Sequence, residues 1–208
     1  MKRTIELGPH HELWARDHPE PDTIANRTLG FWLYMLSDSL LFAGLFAAYA
    51  VLNHRYNYAH GPTPHDIAHP FAAFVQTIVL FTSVLTYSFG MVAMRLNSRA
   101  LTIACLLAAA ALGCVFLGLE ISQFASLIAH GITPERSGYL SIFFILVGTH
   151  GLHMAFGLLW MLVMIPQIAL KGFTAEVVAR LLNLRMFWTF QASIWVCVFV
   201  FVYLNGAY

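Results

Sequence analysis

Residues 139–170 read YLSIFFILVGTHGLHMAFGLLWMLVMIPQIAL, a run without a single Asp, Glu, Lys or Arg. A spanning helix needs about 20 apolar residues. This stretch exceeds that, so it predicts a membrane helix that tilts or projects beyond the hydrocarbon. Inside it, Gly148-Thr149-His150-Gly151-Leu152-His153 sets two imidazoles among small residues. At about 3.6 residues per turn, His150, His153, Gly157 and Trp160 share one face, and Gly148, Gly151 and Ala155 share another. Small residues at this spacing let backbones approach closely in lipid. A helix with both faces predicts protein neighbours on two sides and a central place in a bundle.

Four further apolar segments, residues 29–52, 71–94, 100–129 and 184–204, are each long enough to span. The expected fold is therefore all-α: a polar N-terminal tail, residues 1–28, then a transmembrane domain of five helices over residues 29–208. Composition agrees. The 208 residues are 59% hydrophobic and 10% charged, against about 25% charged in soluble domains, and the mean hydropathy is +0.70. A net charge of +1 with no basic cluster argues against nucleic-acid binding. The tail carries Lys2-Arg3 but no apolar run after it, so it reads as a tail and not as a signal peptide. Gly61-Pro62-Thr63-Pro64 marks a turn in the first loop, and residues 131–137 form the third loop.

Basic residues set an orientation. With five spans, Lys2, Arg3, Arg16, Arg27, Arg95, Arg99, Lys171, Arg180 and Arg185 lie on one side, and Arg55 and Arg136 on the other. The positive-inside rule then predicts a cytoplasmic N-terminus and a periplasmic C-terminus.

Asp38 and Glu120 are the only acids within the apolar segments. A charge in lipid is costly, so such residues face a bundle interior and are functional candidates. Counted along the helices at 1.5 Å per residue, Glu120 and His150 both lie about 17 Å below the third loop, and Asp38 about 21 Å below the same surface. One level for all three predicts that Glu120 pairs with His150 or His153, with Asp38 nearby. The cluster reads as a structural network holding helices in register, as an internal proton relay, or as a metal site. Against the metal, no third histidine lies at helical spacing and no Glu-x-x-His pattern recurs on another helix.

Other positions carry weaker signals. Gln76, Ser83, Thr86, Tyr87 and Gly90 form a polar stripe on the second span, explained by interhelical hydrogen bonds worth about 1 kcal/mol each. Trp188, Gln191 and Trp195 share a face of the fifth span, where aromatic surroundings predict interfacial anchoring and lipid contact at Trp188 and Trp195. Arg136, on the third loop, is a candidate for a lipid phosphate, beside the simpler reading of a solvated turn. Cys105, Cys114 and Cys197 read as small buried apolar residues. No phosphate loop, Gly-x-Ser-x-Gly elbow or His-Glu-x-x-His occurs.

Several segments, in order, resemble subunit III of the haem-copper terminal oxidases: Phe31-Trp32-Leu33-Tyr34-Met35-Leu36-Ser37-Asp38, Phe116-Leu117-Gly118-Leu119-Glu120-Ile121, Arg136-Ser137-Gly138-Tyr139-Leu140, the Gly148–His153 motif, and the ending from Phe187-Trp188 to Phe199. The likeness covers residues 29–208. Within the family the chain looks most like the cytochrome o ubiquinol oxidase branch, which has five spans where the cytochrome c oxidase branch usually has seven.

The resemblance implies a subunit with no cofactor and no catalytic centre of its own. It would pack on subunit I, which holds the haems and copper, beside subunits II and IV, and would bind phospholipid in a bacterial inner membrane. The complex would oxidise ubiquinol, reduce oxygen to water and move protons outward. By position, Asp38 matches the family's membrane-embedded acid, and Glu120, His150 and His153 match its polar positions. The chain also departs from the pattern. Where relatives read Trp-His-Phe-x-Asp, Thr189 and Ala192 replace the His and Asp, and Gln123 stands where relatives often carry a carboxylate. Fewer titratable groups favour scaffold over proton collection. The competing expectations are a subunit III of a cytochrome c oxidase, the accessory protein of a nitric oxide reductase, and a free-standing membrane ion transporter using Asp38 and Glu120.

Overall fold

The computed structural model describes residues 23–58, 62–67 and 69–206. The tail up to residue 22, with its basic pair, and Gly61 of the expected turn lie outside the described residues. Among the described residues the elements are α1 (Thr23–Leu52), a short α2 (Pro64–Ile67), α3 (Pro70–Arg95), α4 (Arg99–Ala129), α5 (Gly138–Lys171) and α6 (Ala175–Val198), and no strand occurs. The last helix runs on as a π-helix, Phe199–Leu204. Among the described residues five helices are long and apolar enough to cross a membrane: Thr28–Leu52, Pro70–Arg95, Arg99–Ala129, Gly138–Lys171 and Ala175–Leu204.

The helices overrun the apolar segments read from sequence. α1 starts at Thr23 and not at residue 29, and the last helix starts at Ala175 and not at residue 184. Its added turns bury Val177, Val178, Ala179 and Leu181. Glu176, Arg180 and Asn183 are interleaved with them, so mean hydropathy conceals the buried face.

Local chemistry sets the ends. α3 stops at a left-handed residue, Asn97, with φ 56°. The Asn97 N–H donates to the Met94 carbonyl at 2.9 Å and the Ser98 N–H to the Ala93 carbonyl at 3.1 Å, the paired bonds that satisfy the last carbonyls of a helix. α4 ends the same way at Gly131, φ 74°, with Ile132 N–H donating to Leu127 at 3.0 Å. Ser137 caps α5 by accepting from the Leu140 N–H at 3.1 Å. Thr174 caps α6 by accepting from the Val177 N–H at 3.4 Å.

Packing closes α3, α4, α5 and α6 into a ring: α3 lies on α4, α4 on α5, α5 on α6, and α6 returns to α3. α1 lies outside this ring, seated against α5 and α6. Its contact is chiefly aromatic, with Phe31 on Trp160, Phe46 on Phe201 and Tyr49 on Tyr139. The ring itself is bonded across its centre. Ser83 Oγ donates to the Ala109 carbonyl at 2.8 Å and accepts from Trp188 Nε1 at 3.1 Å. The Tyr87 hydroxyl donates to the Leu181 carbonyl at 2.9 Å. Three helices are thereby tied through the α3 stripe. Thr86 is not part of this tie, because its hydroxyl turns back on its own helix to the Thr82 carbonyl.

Candidate functional site

The polar positions of the bundle divide into two groups. The first joins α1 to the ring. His153 on α5 places Nε2 3.1 Å from Asp38 Oδ1, while its Nδ1 lies 2.7 Å from the Thr149 carbonyl one turn back on α5. Phe42 and Phe187 flank the imidazole, with ring centroids at 5.2 and 6.5 Å. Asp38 is buried, and its second oxygen, Oδ2, has no partner among the described residues.

The second group lies inside the ring. His150 is fully buried, and its Nε2 donates to the Gln191 carbonyl of α6 at 3.2 Å, since a carbonyl can only accept. Phe116 and Trp195 box its ring at 5.7 and 5.3 Å. Glu120 is buried on α4 with both oxygens unpartnered among the described residues. Its carboxyl lies against the bare Cα of Gly151: a Cβ built there would stand 2.7 Å from Oε1. One turn on, Gln123 Oε1 accepts from the Tyr203 hydroxyl at 3.2 Å.

This geometry corrects the expected partnership. Glu120 lies at the depth of α5's histidine motif, yet it bonds neither His150 nor His153. His153 is turned out of the ring towards Asp38, and His150 is committed to the α6 backbone. Two histidines three residues apart point about 60° apart around a helix, enough to send one to each neighbour.

Trp188 and Trp195 also require correction. Both are fully buried, so neither contacts lipid from this position. Their indoles donate into the ring, Trp188 to Ser83 and Trp195 to Thr77 Oγ1 at 2.9 Å. A large aromatic with one donor suits a packed interior when an acceptor faces it. Arg136 is exposed on the loop and donates to the Gly131 carbonyl at 3.3 Å, the solvated-turn arrangement. Cys114 is exposed and Cys105 and Cys197 are intermediate, so none is the buried residue expected.

Among the small residues, Gly151 lies against the Glu120 side chain, whereas Gly148 has only ordinary contact, 3.7 Å from a built Cβ to Phe124, and Ala155 is half-buried. Two close approaches within the bundle are at Gly113 and Gly157, where a Cβ would stand 3.0 and 2.8 Å from the Trp188 ring. Spacing places Gly157 on the histidine face. Gly113 carried no signal, because its partner is set by the rotation of α6. Among the described residues no three His, Cys, Asp or Glu side chains come together as metal ligands.

Comparison with known proteins gives this arrangement its context. The family model for cytochrome c oxidase subunit III matches residues 18–207. The chain is 44% identical over 202 residues, 97% of its length and 95% of the relative's, to cytochrome bo(3) ubiquinol oxidase subunit 3 of Pseudomonas aeruginosa. It is 45% identical over 178 residues to the protein of that name from Pseudomonas putida, covering 86% of this chain and 85% of the relative. The corresponding protein of Buchnera aphidicola subsp. Schizaphis graminum is 38% identical over 183 residues, 87% of this chain and 95% of that protein. The chain belongs to the cytochrome c oxidase subunit III family.

Proposed function

We propose that the chain is subunit III of a bacterial cytochrome bo3-type ubiquinol oxidase, the complex that oxidises ubiquinol and reduces oxygen to water. The observation that carries this reading is the 44% identity along 97% of the chain to a protein of that name. The fold is compatible with it: five spanning helices whose polar side chains bond chiefly to one another and to backbone carbonyls.

In this reading the chain performs no chemistry of its own. It packs on the subunit that carries haem and copper, beside subunits II and IV, and steadies that subunit and its phospholipid in the cytoplasmic membrane. Its N-terminus faces the cytoplasm. The Asp38–His153 bond and the bond from His150 to the Gln191 carbonyl fix helix rotation and depth.

The test is purification through a tag on this chain. The expected result is a complex with the optical spectrum of b- and o-type haems that oxidises ubiquinol and not cytochrome c. Deleting the chain should reduce the yield and lifetime of the complex without removing its spectrum. Oxidation of cytochrome c by the purified complex would move the chain to the other oxidase branch. Ion transport by the isolated chain in liposomes would overturn the scaffold reading.

A further inference from the structure

We infer that the four-helix ring binds a small cluster of ordered water molecules between Glu120 of α4, His150 of α5 and the side chain of Gln191 of α6. The site lies wholly within this chain, so the inference stands whichever oxidase the chain serves.

Two consecutive residues of α5 gather the site. His150 Nε2 donates to the Gln191 carbonyl at 3.2 Å, and the Glu120 carboxyl lies against Gly151. Phe116, one turn before Glu120, and Trp195, one turn after Gln191, meet edge to face at 4.7 Å, and both pack on the His150 ring. Three polar side chains thus surround one aromatic box. Glu120 is 2% exposed, and His150 and Gln191 are fully buried. Among the described residues, both Glu120 oxygens, His150 Nδ1 and both polar atoms of the Gln191 amide have no partner. Their need for partners does not depend on charge. A carboxyl needs donors when ionised and an acceptor as well when protonated. With Nε2 donating, Nδ1 is a bare acceptor on a neutral ring and a second donor on a cationic one, and the amide offers both roles at all times. Left unpaired, such groups carry the full cost of leaving water. A water molecule carries two donors and two acceptors, bridges groups beyond direct reach, and makes about three bonds when buried.

The other half of the ring makes the contrast. Around Trp188, the polar groups of Ser83, Tyr87 and the indole itself are bonded within the protein. There Gly113 and Gly157 press on the indole so closely that a Cβ would stand 3.0 and 2.8 Å from it. That half is dry and sealed. Trp195 gives its N–H to Thr77, but its ring borders the unpaired groups through His150. Gln123 extends the polar track away from the sealed half. It lies one turn nearer the α4–α5 loop than Glu120 and is half-buried. Its Oε1 accepts from the Tyr203 hydroxyl, while its Nε2 has no partner among the described residues. Water therefore enters from the loop end, past Gln123 and Tyr203.

The test uses the intact complex purified through a tag on this chain. A brief X-ray pulse turns bound water into hydroxyl radicals, which oxidise the side chains beside it and are read by mass spectrometry. Trp188 and Trp195 are both fully buried and share the same intrinsic reactivity, so each controls for the other. Trp195 should be oxidised at least about fivefold more than Trp188, because only it borders water-bridged groups. Equal oxidation of the two indoles would overturn the site. Glu120→Gln keeps hydrogen-bonding groups at the site and should preserve the difference, whereas Glu120→Leu should reduce it about twofold or more. A density map of the unaltered complex, which needs no variant to fold, decides independently. At about 2 Å resolution it should show density within about 3.2 Å of a Glu120 oxygen and of His150 Nδ1 or the Gln191 amide. A Glu120 carboxyl bonded directly to the Gln191 amide, with nothing between them, would overturn the proposal.

Discussion

The Cβ that Gly151 lacks would stand 2.7 Å from Glu120 Oε1 and 3.1 Å from its Cδ, so the carboxyl of α4 occupies the space that an α5 side chain would fill. The contact explains how a buried acid is accommodated on the axis between two helices. Gly151→Ala must push Glu120 aside, and Glu120 is itself enclosed. The expected loss is about 1–3 kcal/mol of stability, read as a lower unfolding temperature of the purified complex. Gly151→Leu should prevent incorporation of the chain. In a Glu120→Ala background the alanine at 151 should cost almost nothing, since the clash has gone. Equal costs in both backgrounds would mean that the glycine matters for another reason.

Gly157 meets a harder wall. A Cβ there would stand 2.8 Å from Trp188 Cζ3 and 2.9 Å from Phe187 Cε1, and rings cannot bend as a glutamate can. Across the same indole, a Cβ on Gly113 would stand 2.7 Å from Leu158 Cδ2 and 3.0 Å from Trp188 Cη2. Trp188 is thus held between two glycines of different helices. Gly157→Ala is expected to be more damaging than Gly151→Ala, displacing the indole and with it the bond to Ser83. Comparing the yields of intact complex from the two variants decides this, and the reverse order would disprove the ranking.

Ser83 is the junction through which three helices are bonded, donating to α4 and accepting from α6. Trp188→Phe removes one of the two bonds and should cost about 1 kcal/mol. Ser83→Ala removes both, including the bond to the Ala109 carbonyl, and leaves the buried indole N–H without an acceptor, so its cost should exceed that of Trp188→Phe. Thermal unfolding of the two single variants and the double separates the contributions. If Ser83→Ala is the milder change, the junction is not where the ring is tied.

Much of this architecture is legible in the sequence because membrane helices advertise themselves by length and hydropathy. Residues 139–170 reveal α5 and its central place through two faces of different chemistry. The depth of Glu120 relative to the histidine motif is also recoverable, since a short loop fixes the hairpin. What spacing cannot supply is the rotation of one helix against the next. It does not tell whether His153 looks towards α4 or α1, or whether His150 looks towards α4 or α6, so Glu120 is expected to pair with His150 or His153, whereas these bond Gln191 and Asp38. The same ignorance affects Trp188 and Trp195. Aromatic residues in a span have two homes, the lipid interface and the core, and only the acceptors on α3, Ser83 and Thr77, decide between them. The opening turns of α6 are hidden for a different cause. Val177, Val178 and Leu181 are buried among charged neighbours, and an averaged hydropathy cannot resolve a face.

The loop between α1 and α3 offers a pH-dependent prediction outside the membrane-spanning helices. Asp66 Oδ2 accepts from the Thr63 N–H at 2.8 Å and from the Thr63 hydroxyl at 2.7 Å, closing the short helix α2 at its start as the acidic partner of a capping box. These two donors, hydroxyl first, hold the Asp66 carboxyl below the ordinary carboxylate range. A value lowered by folding means that the ionised form stabilises the local structure. The contribution is therefore complete above the ordinary carboxylate range and drains away as pH falls through the lowered value. The side chain is exposed, so the effect is confined to the loop and to the seating of Ile67, which is buried beside it. Hydrogen exchange at the Thr63 amide, corrected for intrinsic chemistry, should lose protection only in strongly acidic solution. Asp66→Asn should show weaker protection at neutral pH and no further loss on acidification. A variant that still loses protection in acid would assign the titration to another group, with His65 the neighbour to examine next.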